Sequence, residues 1–208
     1  MVLSGRKVVA LTLAVVGVVI AAAVGFVYSG SYDMAADTPH TRVVHRLLTV
    51  LRERSVARHA QGIAVPTLDD PDLRNSGAGN YDAMCASCHL APGIKASELS
   101  RGLYPAPPRL DDPQRAHTPA QDFWIIKHGI KASGMPAWGR SMDDRYIWGM
   151  VAFLQQLPGL TPEQYARMVA ASPGHRHGGG ESPAESEHVS HGDGHHHEHP
   201  RAETPEHE

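Results

Sequence analysis

Cysteine, aromatic side chains and net charge are all in short supply in this chain. Only two cysteines occur in 208 residues, three positions apart. A structural zinc site would want a further Cys or His pair at suitable distance, and a thioredoxin-like redox pair a βαβ setting that the surrounding sequence does not offer. Aromatics make up 6% of the residues, against 20 glycines and 16 prolines, a balance that predicts a small core with much irregular chain. The formal net charge of -3 predicts neither a nucleic-acid binder nor a strongly acidic docking protein. The length allows one domain of roughly 100 residues with appendages, or two small domains, and excludes a large multidomain enzyme.

What is present is unevenly placed. Residues 1–71 carry seven basic and five acidic groups, 72–172 carry ten and nine, and 173–208 carry two and eight. Nine of the 15 histidines fall in the last of these segments. Near the start, Arg6 and Lys7 precede an uncharged run from Val8 to Tyr28, long enough as a helix, at about 31 Å, to cross a bilayer. The basic residues ahead of it predict a cytoplasmic amino terminus, with everything after Ser29 exported. Ala21-Ala22-Ala23 also suits a signal peptidase, so residues 1–30 read as a membrane anchor or a signal segment.

Residues 31–70 read as a juxtamembrane helix and linker. Thr38 as N-cap and Pro39 at the first helical position open a helix to about Gln61, with Val43, Val44, Leu47, Leu48 and Leu51 as an apolar stripe and five arginines on or near the other faces. Such a helix lies on a membrane surface or a partner subunit, or folds onto the following domain as a spacer. Ile63 to Asp72, with Pro66 and Pro71, predicts an extended linker.

Cys85-Ala86-Ser87-Cys88-His89 is C-x-x-C-H, the attachment signature of a c-type haem. Two thiols so spaced can each form a thioether to one vinyl group of the same porphyrin, while the adjacent His89 reaches the iron. A single such motif means a single haem. For the second axial position, Gly134-Met135-Pro136-Ala137-Trp138-Gly139, 46 residues beyond His89, offers the Met135 thioether on a loop that Pro136 and the glycines let fold closely over the haem face. His117 and His128 are the other candidates.

These residues resemble the class I c-type cytochromes, especially small bacterial single-haem ones, over roughly Pro71 to Pro158. The resemblance implies an all-α fold around one covalent haem, with an N-terminal helix crossing the C-terminal one through Gly77 and Tyr81, opposite Met150, Phe153 and Leu154. It also implies that a proline carbonyl orients His89, with Pro108 as the match and Pro105 or Pro107 as substitutes.

Read from the residues alone, the haem domain (71–160) contains three helices. The first runs from about Leu73 to Ser87. The second opens at the Thr118-Pro119-Ala120-Gln121 capping box and stops near Gly129, burying Phe123, Ile126 and in part Trp124. The third starts near Ser141 or Met142 and presents Ile147, Met150, Val151 and Leu154 at helical spacing before Pro158 and Gly159 close it. A short helix from Thr161 to Ala171, in the segment 161–172, is expected to pack outside the haem fold.

Residues 173–208 have no aromatic side chain and only Val189 as a larger aliphatic, which predicts disorder. His191, His195, His196, His197 and His199, with Asp193 and Glu198 among them, suit copper, nickel or zinc; the alternative is a soluble flexible tail.

An iron held by His and Met has no vacant position for substrate, whereas outer-sphere electron transfer needs none, and Met/His ligation raises the reduction potential. The sequence therefore predicts an electron carrier rather than an enzyme, anchored in a bacterial inner membrane with its haem in the periplasm. Its exposed haem edge is expected near Cys85, Cys88 and the Met135 loop. Lys95, Arg101, Lys127, Lys131 and Arg140 form either a basic rim there or scattered solvated charge. Expected partners are a quinol-oxidising complex, a dehydrogenase or a terminal oxidase, and no nucleic acid. The alternatives are a cytochrome subunit of a dehydrogenase complex, a haem protein coupled to metal handling by its tail, and a haem sensor or peroxidase.

Overall fold

A computed structural model of the protein describes residues 4–176; the tail histidines from His177 onward, including His191, His195, His196, His197 and His199, lie outside these described residues. Eight α-helices and two short 3₁₀ turns, with no β-strand among the described residues, make up the fold. The helices are α1 (Gly5–Tyr28), α2 (Arg42–His59), α3 (Pro71–Met84), α4 (Ala86–His89), α5 (Glu98–Gly102), α6 (Pro119–His128), α7 (Asp144–Leu154) and α8 (Pro162–Ala171).

At 24 residues, α1 is about 36 Å long and long and apolar enough to cross a membrane, and none of it is buried against the rest of the chain. It is consistent with a membrane anchor. From its end a run of rings leads to the haem domain: Phe26 meets Tyr32, Tyr32 stacks on His40, and His40 meets Tyr104 edge-on. Hydrogen bonds reinforce this path, the Tyr32 hydroxyl lying 2.9 Å from His40 Nδ1 and the His40 N–H donating to the Tyr104 hydroxyl at 3.0 Å. This arrangement corrects the expected start of α2. With His40 drawn to Tyr104 and the Thr38 N–H bonded to Ala35, Thr41 caps the helix instead of Thr38.

One face of α2 docks on α6. Val56 is buried, His59 stacks on Trp124 with ring centroids 5.4 Å apart, and Glu53 meets His117 at 3.2 Å. Trp124 is thus half-buried between two helices rather than inside the haem domain.

The centre of the fold is the crossing of α3 and α7, and it needs glycine on both sides. A Cβ built on Gly77 would lie 1.9 Å from the Gly149 carbonyl oxygen, and one on Gly149 would lie 3.0 Å from the Leu73 oxygen. The backbones touch, and the side chains beyond the contact close over it: Tyr81 lies 5.4 Å from Phe153, and Ile147, Met150, Val151 and Leu154 are buried. Phe123 of α6 stacks on Trp148 at 4.1 Å to complete this layer.

Helix boundaries differ from the periodicity at three places. Asp70 caps α3 by accepting from the Asp72 N–H, so Pro71 opens the helix two residues before Leu73. It ends at Met84, and the haem motif forms its own turn, α4. Asp143 stands at the N-cap position of α7, one to two residues later than expected.

The larger correction concerns α8, which does not pack outside the haem fold. Tyr165 is buried against Tyr81 and Phe153, and its hydroxyl donates to Asp82 at 2.7 Å. Tyr165, Met168 and Val169, at i, i+3 and i+4, make a short apolar face, and Met168 and Val169 pack half-buried against the same core, which seats α8 on α3.

Candidate haem site

α3 delivers the haem motif to the interior. Its last turn passes into α4, where the Cys88 and His89 N–H groups both donate to the Cys85 carbonyl, at 3.1 and 2.8 Å. Both sulfurs and the imidazole therefore arise from one helical turn. Leu90 ends that turn at φ +61°, a conformation that is unusual for a non-glycine residue. The buried Tyr81 hydroxyl holds it there by donating to the Leu90 carbonyl at 2.5 Å.

Cys85 is buried, its sulfur 3.9 Å from Met150 Sδ of α7, while Cys88 is half-buried. Burial pushes the Cys85 thiol up to about 12, with the neighbouring Cys88 adding to the shift. His89 Nδ1 lies 2.8 Å from the Pro108 carbonyl oxygen, which as an acceptor fixes the ring proton on Nδ1 and leaves the Nε2 lone pair available. Burial holds the imidazole below its ordinary pKa, and the Pro108 bond only partly opposes this, a shift toward the neutral form that binds a metal.

The Met135 loop closes on itself. The Ile130 N–H donates to the Met135 carbonyl, Ser133 Oγ donates to Ile130 O, and the Met135 N–H donates to Ser133 Oγ. Gly129, at φ +64°, lets the loop return so closely that a Cβ there would lie 2.7 Å from Met135 O. Met135 itself packs, half-buried, against the core that contains Cys85 and Met150.

The two other candidate axial histidines are engaged elsewhere. His117 lies between Glu53 and Asp122, and His128 is exposed beside the Trp124 ring. Within the expected basic rim, Lys127 pairs with Asp144 at 2.7 Å. Neither Pro105 nor Pro107 makes the contact that Pro108 makes with His89.

One buried cation of the domain carried no signal in the sequence. Arg115 forms a buried ion pair with Asp122, yet its Nη1 is buried without a hydrogen-bond partner. Burial raises the Asp122 carboxyl above its usual range despite the attraction of Arg115. An unpartnered guanidinium N–H is costly in a protein interior, and an added carboxylate would satisfy it. Two thiols on one turn, an imidazole with Nε2 available, a thioether on a tight loop and a buried guanidinium whose Nη1 has no hydrogen-bond partner together fit a haem c with its propionates.

Residues 72–154 match the family model described as cytochrome C oxidase, cbb3-type, subunit III. No match to the chain was found among curated proteins or solved structures. The matched segment runs from the start of α3 to the end of α7, and so takes in the haem motif, the Met135 loop and the glycine crossing. This part of the chain is a single-haem c-type cytochrome domain of class I.

Proposed function

We propose that the protein is a membrane-anchored carrier that moves single electrons outside the cytoplasm through a His89/Met135-ligated haem. The observation that carries this reading is the 2.8 Å contact between His89 Nδ1 and the Pro108 carbonyl, because it prepares Nε2 of that histidine for iron within a C-x-x-C-H turn. The Cys85 and Cys88 thiols would each add S–H across a vinyl double bond of the porphyrin, a step with no leaving group. Met135 would supply a second ligand through its thioether, and Arg115 would offer Nη1 to a propionate. Bound haem supplies a one-electron couple at its iron.

The chain's own contribution is to keep the surroundings unchanged between the two redox states. The α3–α7 crossing, the Tyr81 to Leu90 bond and the closed Met135 loop hold both ligands and exclude water, which keeps reorganisation small. With His89 and Met135 both holding the group, the chain would leave no ligand position vacant, and its surface near Cys85, Cys88 and the Met135 loop would be the face offered to redox partners. Anchoring through α1 would raise the effective concentration at a membrane partner. Among the partner classes, the description of the matched family favours a terminal oxidase.

The test is the optical spectrum of the reduced full-length protein with and without carbon monoxide, with Met135→Ala measured alongside. The expected result is no change in the parent and carbon monoxide binding in the variant. Binding by the parent would show an open or labile sixth position and overturn the carrier in favour of a sensor or peroxidase.

A further inference from the structure

The docked face of α2 accounts for only half of that helix. At 100° per residue, Thr49, Glu53, Val56 and Ala60 share the side turned to α6, while Val43, Leu47, Val50 and Leu51 fall within about 100° of arc on the opposite side. Those four side chains are 78%, 65%, 51% and 62% exposed. Further along the same outward face, Arg54 and Arg58 replace the aliphatic residues. The one acidic residue of the helix, Glu53, is turned inward to His117 and Arg52, so the outward side carries basic charge alone.

The position of this face identifies what covers it. α1 ends at Tyr28, and the Phe26, Tyr32, His40 and Tyr104 contacts fasten the connection so that α2 starts close to the end of the apolar helix. We propose that α2 lies in the membrane–water boundary on anionic phospholipid, with Val43, Leu47, Val50 and Leu51 among the upper acyl chains and Arg54 and Arg58 at the phosphates. The inference rests on the reading of α1 as a membrane anchor. An apolar start followed by a basic end places the end of α2 next to α1 deeper than the other, as a helix leaving a bilayer requires. Cations at phosphate level near a surface gain from negative lipid charge. Because the opposite face of α2 is clamped to α6 by Val56, the His59–Trp124 stack and the Glu53–His117 contact, the haem domain is held in one orientation to the bilayer instead of swinging on a tether.

The test uses the full-length, haem-loaded protein in vesicles of three parts phosphatidylcholine to one part phosphatidylglycerol, with one nitroxide per sample on Val16→Cys, Val50→Cys or Ala64→Cys. Cys85 and Cys88 are consumed by the haem, so the introduced thiol takes the label. Collision with oxygen, relative to collision with a water-soluble nickel chelate, is expected to be about fivefold or more higher at position 50 than at 64 in the exposed linker, and highest at 16. In phosphatidylcholine alone the ratio at 50 should fall, and an unchanged ratio would overturn the role given to anionic headgroups. If 16 reads as hydrocarbon while 50 matches 64, the anchor stands and the interfacial placement of α2 is wrong. Protection of 50 from both reagents would show that a protein, such as a second copy of the chain, covers the face and would overturn the lipid assignment. If 16 reads as water, the anchor reading fails and the inference fails with it.

Discussion

Substituting alanine for glycine at three positions along α3 and α7 tests whether the backbone contact between these helices holds the domain together. A Cβ at Gly77 would lie 1.9 Å from Gly149 O, 2.4 Å from Gly149 C and 2.9 Å from Met150 N. All three atoms belong to the backbone of α7, so no side-chain rotation relieves the clash, and the helices must separate by about 1 Å or more. Separation opens gaps around Tyr81, Ile147, Met150 and Phe153, which are completely buried, and overpacking of this kind costs about 1–3 kcal/mol before the cavities are counted. Helix propensity returns about 1 kcal/mol for Gly→Ala. The net loss for Gly77→Ala is therefore about 2–4 kcal/mol, a large part of the roughly 5–15 kcal/mol of a typical domain. At Gly149 the closest atom is Leu73 O at 3.0 Å, and the loss should be about 0–2 kcal/mol once propensity is returned. A Cβ at Gly79 would lie 2.5 Å from Ser172 Oγ and 2.8 Å from Gly174 O, atoms of the segment after α8 and not of α7; that segment must shift against its bond to Asn80, and the loss should be about 0–2 kcal/mol, smaller than at Gly77. Urea unfolding followed by far-ultraviolet circular dichroism gives all three values, and the covalent haem is present in both folded and unfolded states. A Gly77→Ala protein as stable as the parent, or a Gly79→Ala protein as damaged as Gly77→Ala, would refute the assignment of the crossing.

Three further outcomes follow from particular contacts. Tyr81→Phe removes the donor to the buried Leu90 carbonyl and should cost about 1–3 kcal/mol in the same urea experiment, without loss of haem attachment. Arg115→Met removes a cation from beside the proposed propionate and should lower the reduction potential measured by optical titration, because a nearby positive charge favours the reduced iron; Arg115→Lys should retain most of the parent value. The Glu53 carboxyl is raised by partial burial but held, on balance, below its ordinary pKa by hydrogen bonds to His117 and Arg52. Its contribution to docking α2 is thus present above the unfolded carboxyl value and lost as pH falls through the lower folded one. For a partly exposed pair this is worth less than about 1 kcal/mol, and hydrogen-exchange protection factors across residues 49–60, corrected for the intrinsic rate at each pH, should fall by up to about fivefold on acidification below about pH 4.5 in the parent but not in Glu53→Gln.

The parts that were legible in the sequence are those where local chemistry and structure agree. The capping box at Thr118 and Gln121 forms with both of its hydrogen bonds, and the spacing of Ile147, Met150, Val151 and Leu154 matches the buried face of α7. The placement of Gly77 against α7 followed from a resemblance, since glycine at a helix interior is locally unfavourable and only the crossing explains it. Misreadings occurred where a distant group decided. His40 surrenders its N–H to a tyrosine 64 positions away, which displaces the start of α2 from Thr38. Tyr165 reaches Asp82, 83 positions away; the i, i+3, i+4 spacing of Tyr165, Met168 and Val169 marks an apolar face on α8 but not the helix that it meets. Arg115 looked like any loop arginine because its burial depends on Asp122 and on the surrounding chain.

The same few residues serve stability and redox chemistry, and the order of α3 along the chain explains why. Gly77 fixes the depth of the crossing, Tyr81 one turn later reaches Leu90 beyond the haem motif, and Cys85 one turn after that lies against Met150 of the helix that Gly77 touches. The position of the first sulfur is therefore set by the helix crossing rather than by the flexibility of its own loop. On the opposite side, α6 leads through Gly129 directly into the Met135 loop, and α6 is also the element that α2 grips through Val56, His59 and Glu53. A force that displaces α2 acts on the helix leading into the sulfur-bearing loop. If α2 rests on the bilayer and Met135 ligates the iron as proposed, the environment of Met135 should respond to membrane attachment: the weak near-infrared absorption expected of that iron–sulfur bond in the oxidised protein should be sharper, and its loss at raised pH should occur later, in anionic vesicles than in detergent. Identical behaviour in the two media would show that α2 and the Met135 loop are mechanically independent, and that α2 orients the domain without supporting its ligand.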